Sequence, residues 1–252
     1  MQPSIVMSRS SSTLLIVAVA TASLLSACAG PDTRSEAERL VDQSIAFHDP
    51  DGAWYSRAHR MDLGEKRSDG FVRMTSMRLD PLETSFGMRQ DRGEDIIEGF
   101  LDPENCAATV NGALPDSSLA ARYRLGCPDG LGWWRQYYSY MHGLPMKLRD
   151  DGTQIEPSVT DTTFMDRAAQ RVRVTYDPAV GADIWYFYFD PTTSELIGSR
   201  FYHDEAANDG EYIKYDGLLE ADGMRLTQSI HWYTNKEGRY LGSDSLMAYS
   251  AD

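Results

Sequence analysis

The pattern of apolar and polar positions divides the chain into three textures. From Thr13 to Leu25 it is apolar throughout, after a polar start whose one cation is Arg9. Thirteen residues fall short of the ~20 that cross a bilayer as a helix. A short apolar core followed by small residues predicts a secretory signal. The second texture is helical. Leu40, Val41, Ser44, Ile45 and His48 share one helical face behind Ser35-Glu36-Ala37-Glu38, which has the form of a capping box. Asp49-Pro50 stops the pattern, so a helix is predicted over 36–48. Trp133, Trp134, Tyr137, Tyr138 and Met141 predict a second helix, ended by Gly143 and Pro145.

The third texture is strands and tight turns from Trp54 onward. Val72–Leu79 has no helical period. Arg171–Tyr176 and Arg225–Tyr233 alternate polar with apolar, as half-buried strands do. Asp183–Phe189 is apolar and aromatic on both faces, which predicts a central strand covered on both sides. Asp-Gly, the favoured hairpin turn, occurs seven times, beginning at residues 51, 69, 129, 151, 209, 216 and 222. Asp-Pro recurs as a second turn opener. The expected fold class is therefore α+β, one antiparallel sheet wrapped over a few helices.

A length of 252 residues suits one such domain. The net charge of −14 and pI near 4.7 argue against a nucleic-acid partner, which needs a basic footprint. Basic residues are scattered along the chain, with no run that would form an anion-steering patch. A hydrophobic share of 42%, with 11% aromatic, argues against a mainly disordered chain.

Leu25-Ser26-Ala27-Cys28, placed behind that signal, resembles the lipobox of bacterial lipoproteins. The resemblance implies cleavage before Cys28 and acylation of its sulfur. Residues 1–27 are then the signal peptide, 28–35 an acylated tether and 36–252 a single α+β domain. Ordinary secretion, with cleavage at the small-x-small site Ala27-Cys28-Ala29, is the rival reading. Several acyl chains anchor stably, since each buried methylene adds about 0.8 kcal/mol. Ala29 is not the Asp that retains enteric lipoproteins at the inner membrane, so the expected place is the outer membrane, facing the periplasm. Cys106 and Cys127 then form an even pair, which in an oxidising compartment reads as a disulfide; two buried free thiols are the alternative.

Four stretches carry a wider resemblance: Phe47–Trp54, His142–Leu148, Trp185–Pro191 and Phe201–Glu205. They resemble a family of uncharacterised bacterial lipoproteins, common in Bacteroidota and known as a domain of unknown function. More distantly the chain resembles the LolA and LolB lipoprotein-carrier fold, in its N-terminal helix, its antiparallel sheet and a strand ending in aromatic-Asp-Pro. That likeness implies a curved half-barrel enclosing an apolar cavity that holds acyl chains, and it transfers no functional residue.

No nucleophile elbow, P-loop, HExxH or dinucleotide fingerprint occurs. His48, His142 and His203, the last followed by Asp204 and Glu205, sit in polar-aromatic clusters that would suit zinc binding or acid–base work if they met in space. The plain reading puts His48 and His142 at helix C-termini, where the dipole favours a charged ring, and His203 at a strand end. Trp133, Tyr137, Trp185, Phe187 and Phe189 have two readings as well: lining of a ligand cavity, or ordinary core. The leading expectation is a membrane-anchored protein that binds a lipid, acyl chain or other apolar or amphipathic ligand without catalysis, metal or cofactor. A hydrolase or metal-dependent enzyme built on the three histidines, and a partner-binding envelope module, are the alternatives.

Overall fold

The computed structural model describes residues 33–251; the signal, Cys28 and most of the tether lie outside the described residues. The first helix, α1 (Glu36–His48), is where the periodicity places it. Ser35 Oγ accepts from the Glu38 N–H while Glu38 accepts from the Ser35 N–H, so the capping box forms as predicted. Asp49 then turns the chain, its carboxylate accepting from the Ala53 and Trp54 N–H groups at 2.7 and 2.9 Å.

Five strands follow: β1 (His59–Arg67), β2 (Val72–Asp80), β3 (Ser85–Asp91), β4 (Ile96–Leu101) and β5 (Cys106–Val110). Helices α2 (Ser117–Tyr123) and α3 (Asp129–Gly143) come next. Eight more strands complete the chain: β6 (Thr153–Ile155), β7 (Thr160–Phe164), β8 (Arg167–Tyr176), β9 (Ile184–Phe189), β10 (Leu196–Tyr202), β11 (Glu211–Ala221), β12 (Met224–Thr234) and β13 (Tyr240–Ala251). All join one antiparallel sheet, ordered β5-β4-β3-β2-β1-β13-β12-β11-β10-β9-β8-β6, with β7 also paired to β8. The sheet is open and curved, and the helices cover its inner face. Among the described residues no helix is long and apolar enough to cross a membrane.

Local chemistry sets the turns. Asp80, Asp102 and Asp190, each followed by Pro, accept from backbone N–H groups two and three residues on. That is the Asx-turn mechanism. Six of the seven Asp-Gly glycines have positive φ. The exception, Asp129-Gly130, opens α3 instead of making a turn. Glycine is required there because a Cβ would lie 2.5 Å from the Arg124 carbonyl oxygen.

β9 is covered on both sides, as its composition predicts. Phe187 and Phe189 face inward among Leu40, Val41, Met141 and Leu144. Tyr188 faces outward beneath Phe164 of β7, ring centres 4.2 Å apart and nearly parallel. Cys106 and Cys127 form a disulfide, Cα atoms 5.7 Å apart, that ties β5 to the approach to α3.

Candidate functional site

Directly opposed residues in an antiparallel sheet share a face, so the pairing registers define rows across it. Four inner rows cross the β13–β1–β2–β3 region. The first holds His59, Leu79 and Phe86, and the second Met61, Met77 and Met88. The third holds Leu246, Leu63, Thr75 and Gln90. The fourth is charged: Asp244 opposite Glu65, and Glu65 opposite Arg73. Within one strand length the inner face passes from apolar to ionic, yet the ionic end is also buried. Glu65, Arg73 and Asp244 are only 2%, 6% and 2% exposed.

Burying such groups demands partners. Arg73 grips Glu65 through two guanidinium nitrogens. Thr75 and Tyr138 direct their hydroxyls at the same carboxylate. Gln90 donates to the Tyr138 oxygen at 2.8 Å and accepts from Arg92. Asp244 accepts from Tyr137 and from the Trp232 indole, both at 3.2 Å, and from Arg67 at 3.4 Å. The network thus fastens α3, through Tyr137 and Tyr138, to the strands beneath it.

The two carboxylates are pushed in opposite directions. Burial works against ionisation of Glu65, but Arg73 and the Thr75 hydroxyl outweigh it and hold the carboxyl below its ordinary value. Asp244 is raised, first by burial and then by the neighbouring Glu65 charge. Burial, with Asp244 and Glu65 nearby, keeps the Tyr137 hydroxyl protonated well beyond its usual range. The row holds ionisable groups out of water on mutual partners.

The aromatic candidates divide between two places. Trp133 and Tyr137 stack at 5.4 Å; Tyr137 reaches the charged row through Asp244, while Trp133 is exposed. Trp185, Phe187 and Phe189 lie in the other half of the core; Trp185 stacks on Phe187, and Phe187 and Phe189 are fully buried near α1. Tyr137 packs against both halves.

The histidine candidates are held in different surroundings. His48 donates from Nδ1 to the Arg225 carbonyl at 2.6 Å and accepts at Nε2 from the Leu196 N–H at 3.1 Å. His142 is buried beside Tyr138. Burial lowers both to about 4, so the charged, dipole-stabilised rings expected at the helix ends are neutral instead: desolvation outweighs the dipole. His203 is exposed and pairs with Asp183 at 2.6 Å, which raises it. Leu196 and His203 are separated by the whole of β10, so His48 and His203 stand roughly 20 Å apart. Asp204 accepts from the Ala206 N–H, and Glu205 from Tyr186 and Arg173. Among the described residues no three His, Cys, Asp or Glu side chains are grouped to hold a metal ion.

Sequence reasoning missed Glu65, Arg73 and Asp244. The available signal was polar residues in phase with buried ones, as in Met61-x-Leu63-x-Glu65 and Arg73-x-Thr75-x-Met77.

Fold and site together define an α+β protein with helices laid across the inner face of one curved sheet and a buried ionic row at one end of that face. The chain belongs to a family of unknown function, DUF6503, which its residues 16–248 match. No curated protein is similar to it in sequence. Three solved structures resemble it. One is a domain provisionally described as that of an outer membrane lipoprotein-sorting protein from Vibrio parahaemolyticus, with TM-score 0.49 and 8% identity over 85% of this chain and 91% of that one. Another is a LolA superfamily protein from Nitrosomonas europaea, with TM-score 0.45 and 9% identity over 86% and 93%. The third is a DUF1329 family protein from Desulfovibrio piger, with TM-score 0.42 and 8% identity over 86% and 94%. No functional inference rests on these three.

Proposed function

We propose that this is a lipid-anchored envelope protein, with its body facing the periplasm, that binds an amphipathic ligand between α3 and the inner face of the sheet without catalysis. The observation that carries the reading is the methionine row, Met61, Met77 and Met88, lying one residue pair from the buried polar groups. Methionine side chains are unbranched and polarizable, so a methionine-lined contact repacks around a guest more readily than one of branched residues. Leu131 of α3 fills the gap at Gly99 beside that row, where a Cβ would lie 2.6 Å from its methyl group. A guest's apolar part would take the place of such helix contacts, and its polar end would meet the Thr75, Gln90 and Tyr138 groups.

The Leu25–Cys28 motif supports the anchor, and the Cys106–Cys127 disulfide fits an oxidising compartment. Native mass spectrometry of protein purified gently from membranes tests the ligand: co-purified amphiphile is expected, together with uptake of an apolar dye. A protein that arrives empty and ignores the dye refutes the reading. Metabolic labelling tests the anchor separately. Fatty acid should label the chain and be absent from Cys28→Ala, and an unlabelled native chain overturns the anchor alone.

A further inference from the structure

The outward face of β1 carries Arg60, Asp62, Gly64 and Lys66, and the strand is paired on both sides. A glycine weakens the middle of a strand, and it often marks the close approach of another group. The backbone does not call for it here, because Gly64 φ lies outside the left-handed region.

Two methionines reach over the space that Gly64 leaves open. Met74 stands directly opposite Gly64 on β2. Met247 comes from β13 on the other side, at a break in the register. Asp62 pairs with Ala248 and Leu63 with Leu246, so Met247 has no partner across that ladder. It is the extra residue of a β-bulge, the device by which a strand re-aims one side chain. Leu246 points into the core, while Met247 and Ala248 are both exposed. A Cβ placed on Gly64 would lie 3.0 Å from the Met247 sulfur and 3.8 Å from the Met74 sulfur. Both thioethers are thus within 4 Å of one point above the glycine.

Core packing does not account for this pair. Met247 is 62% and Met74 41% exposed, whereas Met61, Met77 and Met88 on the inner face are all buried. The glycine gives up conformational restriction and the bulge gives up regular pairing. What they provide is two sulfurs at the surface with no Cβ between them. Thioether sulfur is a soft, uncharged ligand that favours copper(I). Zinc prefers thiolate, imidazole and carboxylate, and magnesium and calcium take oxygen. Metal–sulfur bonds of about 2.3 Å come within reach of both sulfurs after small rotations of the flexible methionine chains. The net charge of −14 favours the approach of a cation. Cys106 and Cys127 are joined to each other and offer no competing thiolate.

We propose that Met74 and Met247, brought together over Gly64 by the bulge in β13, form a surface site for copper(I). The site lies on the opposite face of the sheet from the amphipathic-ligand reading and does not depend on it. The full chain, with carbon-13 in its methionine methyl groups, is titrated with silver(I), a redox-inert stand-in, in chloride-free buffer. Copper(I) is then offered in competition with a chromophoric chelator. One ion per chain should bind with an affinity of about micromolar or tighter. The methyl signals of Met74 and Met247 should move together, while that of Met165, which is also exposed, should not. Met74→Leu and Met247→Leu should each weaken binding at least about tenfold, and Met165→Leu should leave it unchanged. Gly64→Ala, which intrudes between the sulfurs, should weaken it with the circular dichroism unaltered; binding as in wild type would overturn the glycine's part. The site itself is overturned if both leucine variants bind like wild type, if Met165 responds as strongly as the pair, or if zinc binds as tightly as silver. Uptake that leaves the Met74 and Met247 signals in place, as at the sulfur of an unacylated Cys28, overturns it equally.

Discussion

His48 and His142 show what burial does to a group that sequence places at a helix end. Each has a folded value of about 4 against an ordinary 6.5. The unfolded chain therefore binds more protons between those values. The stabilisation is complete above pH 6.5 and is lost as pH falls toward 4, by up to about 1.4 kcal/mol per pH unit for each ring. Urea midpoints measured from pH 7.5 down to 5 should fall, and His142→Gln should flatten the slope; a midpoint constant across that range would contradict the burial of both rings. His59 adds to the effect, since burial lowers it too. The Glu65–Arg73 pair makes a different prediction. Arg73→Met strands a carboxylate whose side chain is 1% exposed, at a cost of roughly 3–5 kcal/mol. The double variant Glu65→Leu/Arg73→Met should be less destabilised than Arg73→Met alone, because it leaves no unpaired charge, and equal losses would mean the pair is not coupled. Neither Glu65 nor Arg73 was legible as a site residue, because each gains its meaning from the strand beside it.

Elements were more legible than sites, for a physical reason. The capping box, the Asp-Pro and Asp-Gly turns and the i, i+3, i+4 face of α1 are all written within a few residues of one another, so α1 starts and stops where its pattern does. The disulfide followed from cysteine arithmetic once Cys28 was set aside. By contrast, α2 is seven residues long, too short to show a period. Arg92 and Arg122, thirty residues apart in the sequence, meet over the Tyr123 ring only once the end of β3 and α2 are packed together, which is why the cations looked scattered in the sequence. The disulfide closes a loop of 21 residues over this region. Replacing both cysteines by serine should cost roughly 3 kcal/mol in the chain-entropy account. Thermal melts should register the loss first in α2 and α3, whose amide protons should exchange faster than those of β11–β13. Uniform exchange across the molecule would show that the bridge does not hold that corner.

At the scale of the whole molecule, the decisive feature is that the last strand of the chain is a central one. β13 lies between β1 and β12, aligned with β1 from His59↔Ala251 to Arg67↔Gly242. It joins the run β1–β5 to the run β6–β12, and no local pattern announces a pairing made across some 180 residues. It also supplies Leu246 to one core cluster and Asp244 to the ionic row. The two clusters are not independent, since Ile45 and Tyr137 pack against both. Removing an edge strand such as β5 would shorten the sheet, whereas removing β13 splits it and leaves Glu65 without one of its two cross-strand neighbours and Tyr137 without its acceptor. A chain ending at residue 239 should therefore lose the near-ultraviolet signal of its buried aromatics and unfold without a cooperative transition in urea, even though every helix and twelve of the thirteen strands remain encoded. A sharp, single transition in that truncated chain would mean that the two halves of the sheet fold on their own, and the ionic row would then be a seam between two folding units.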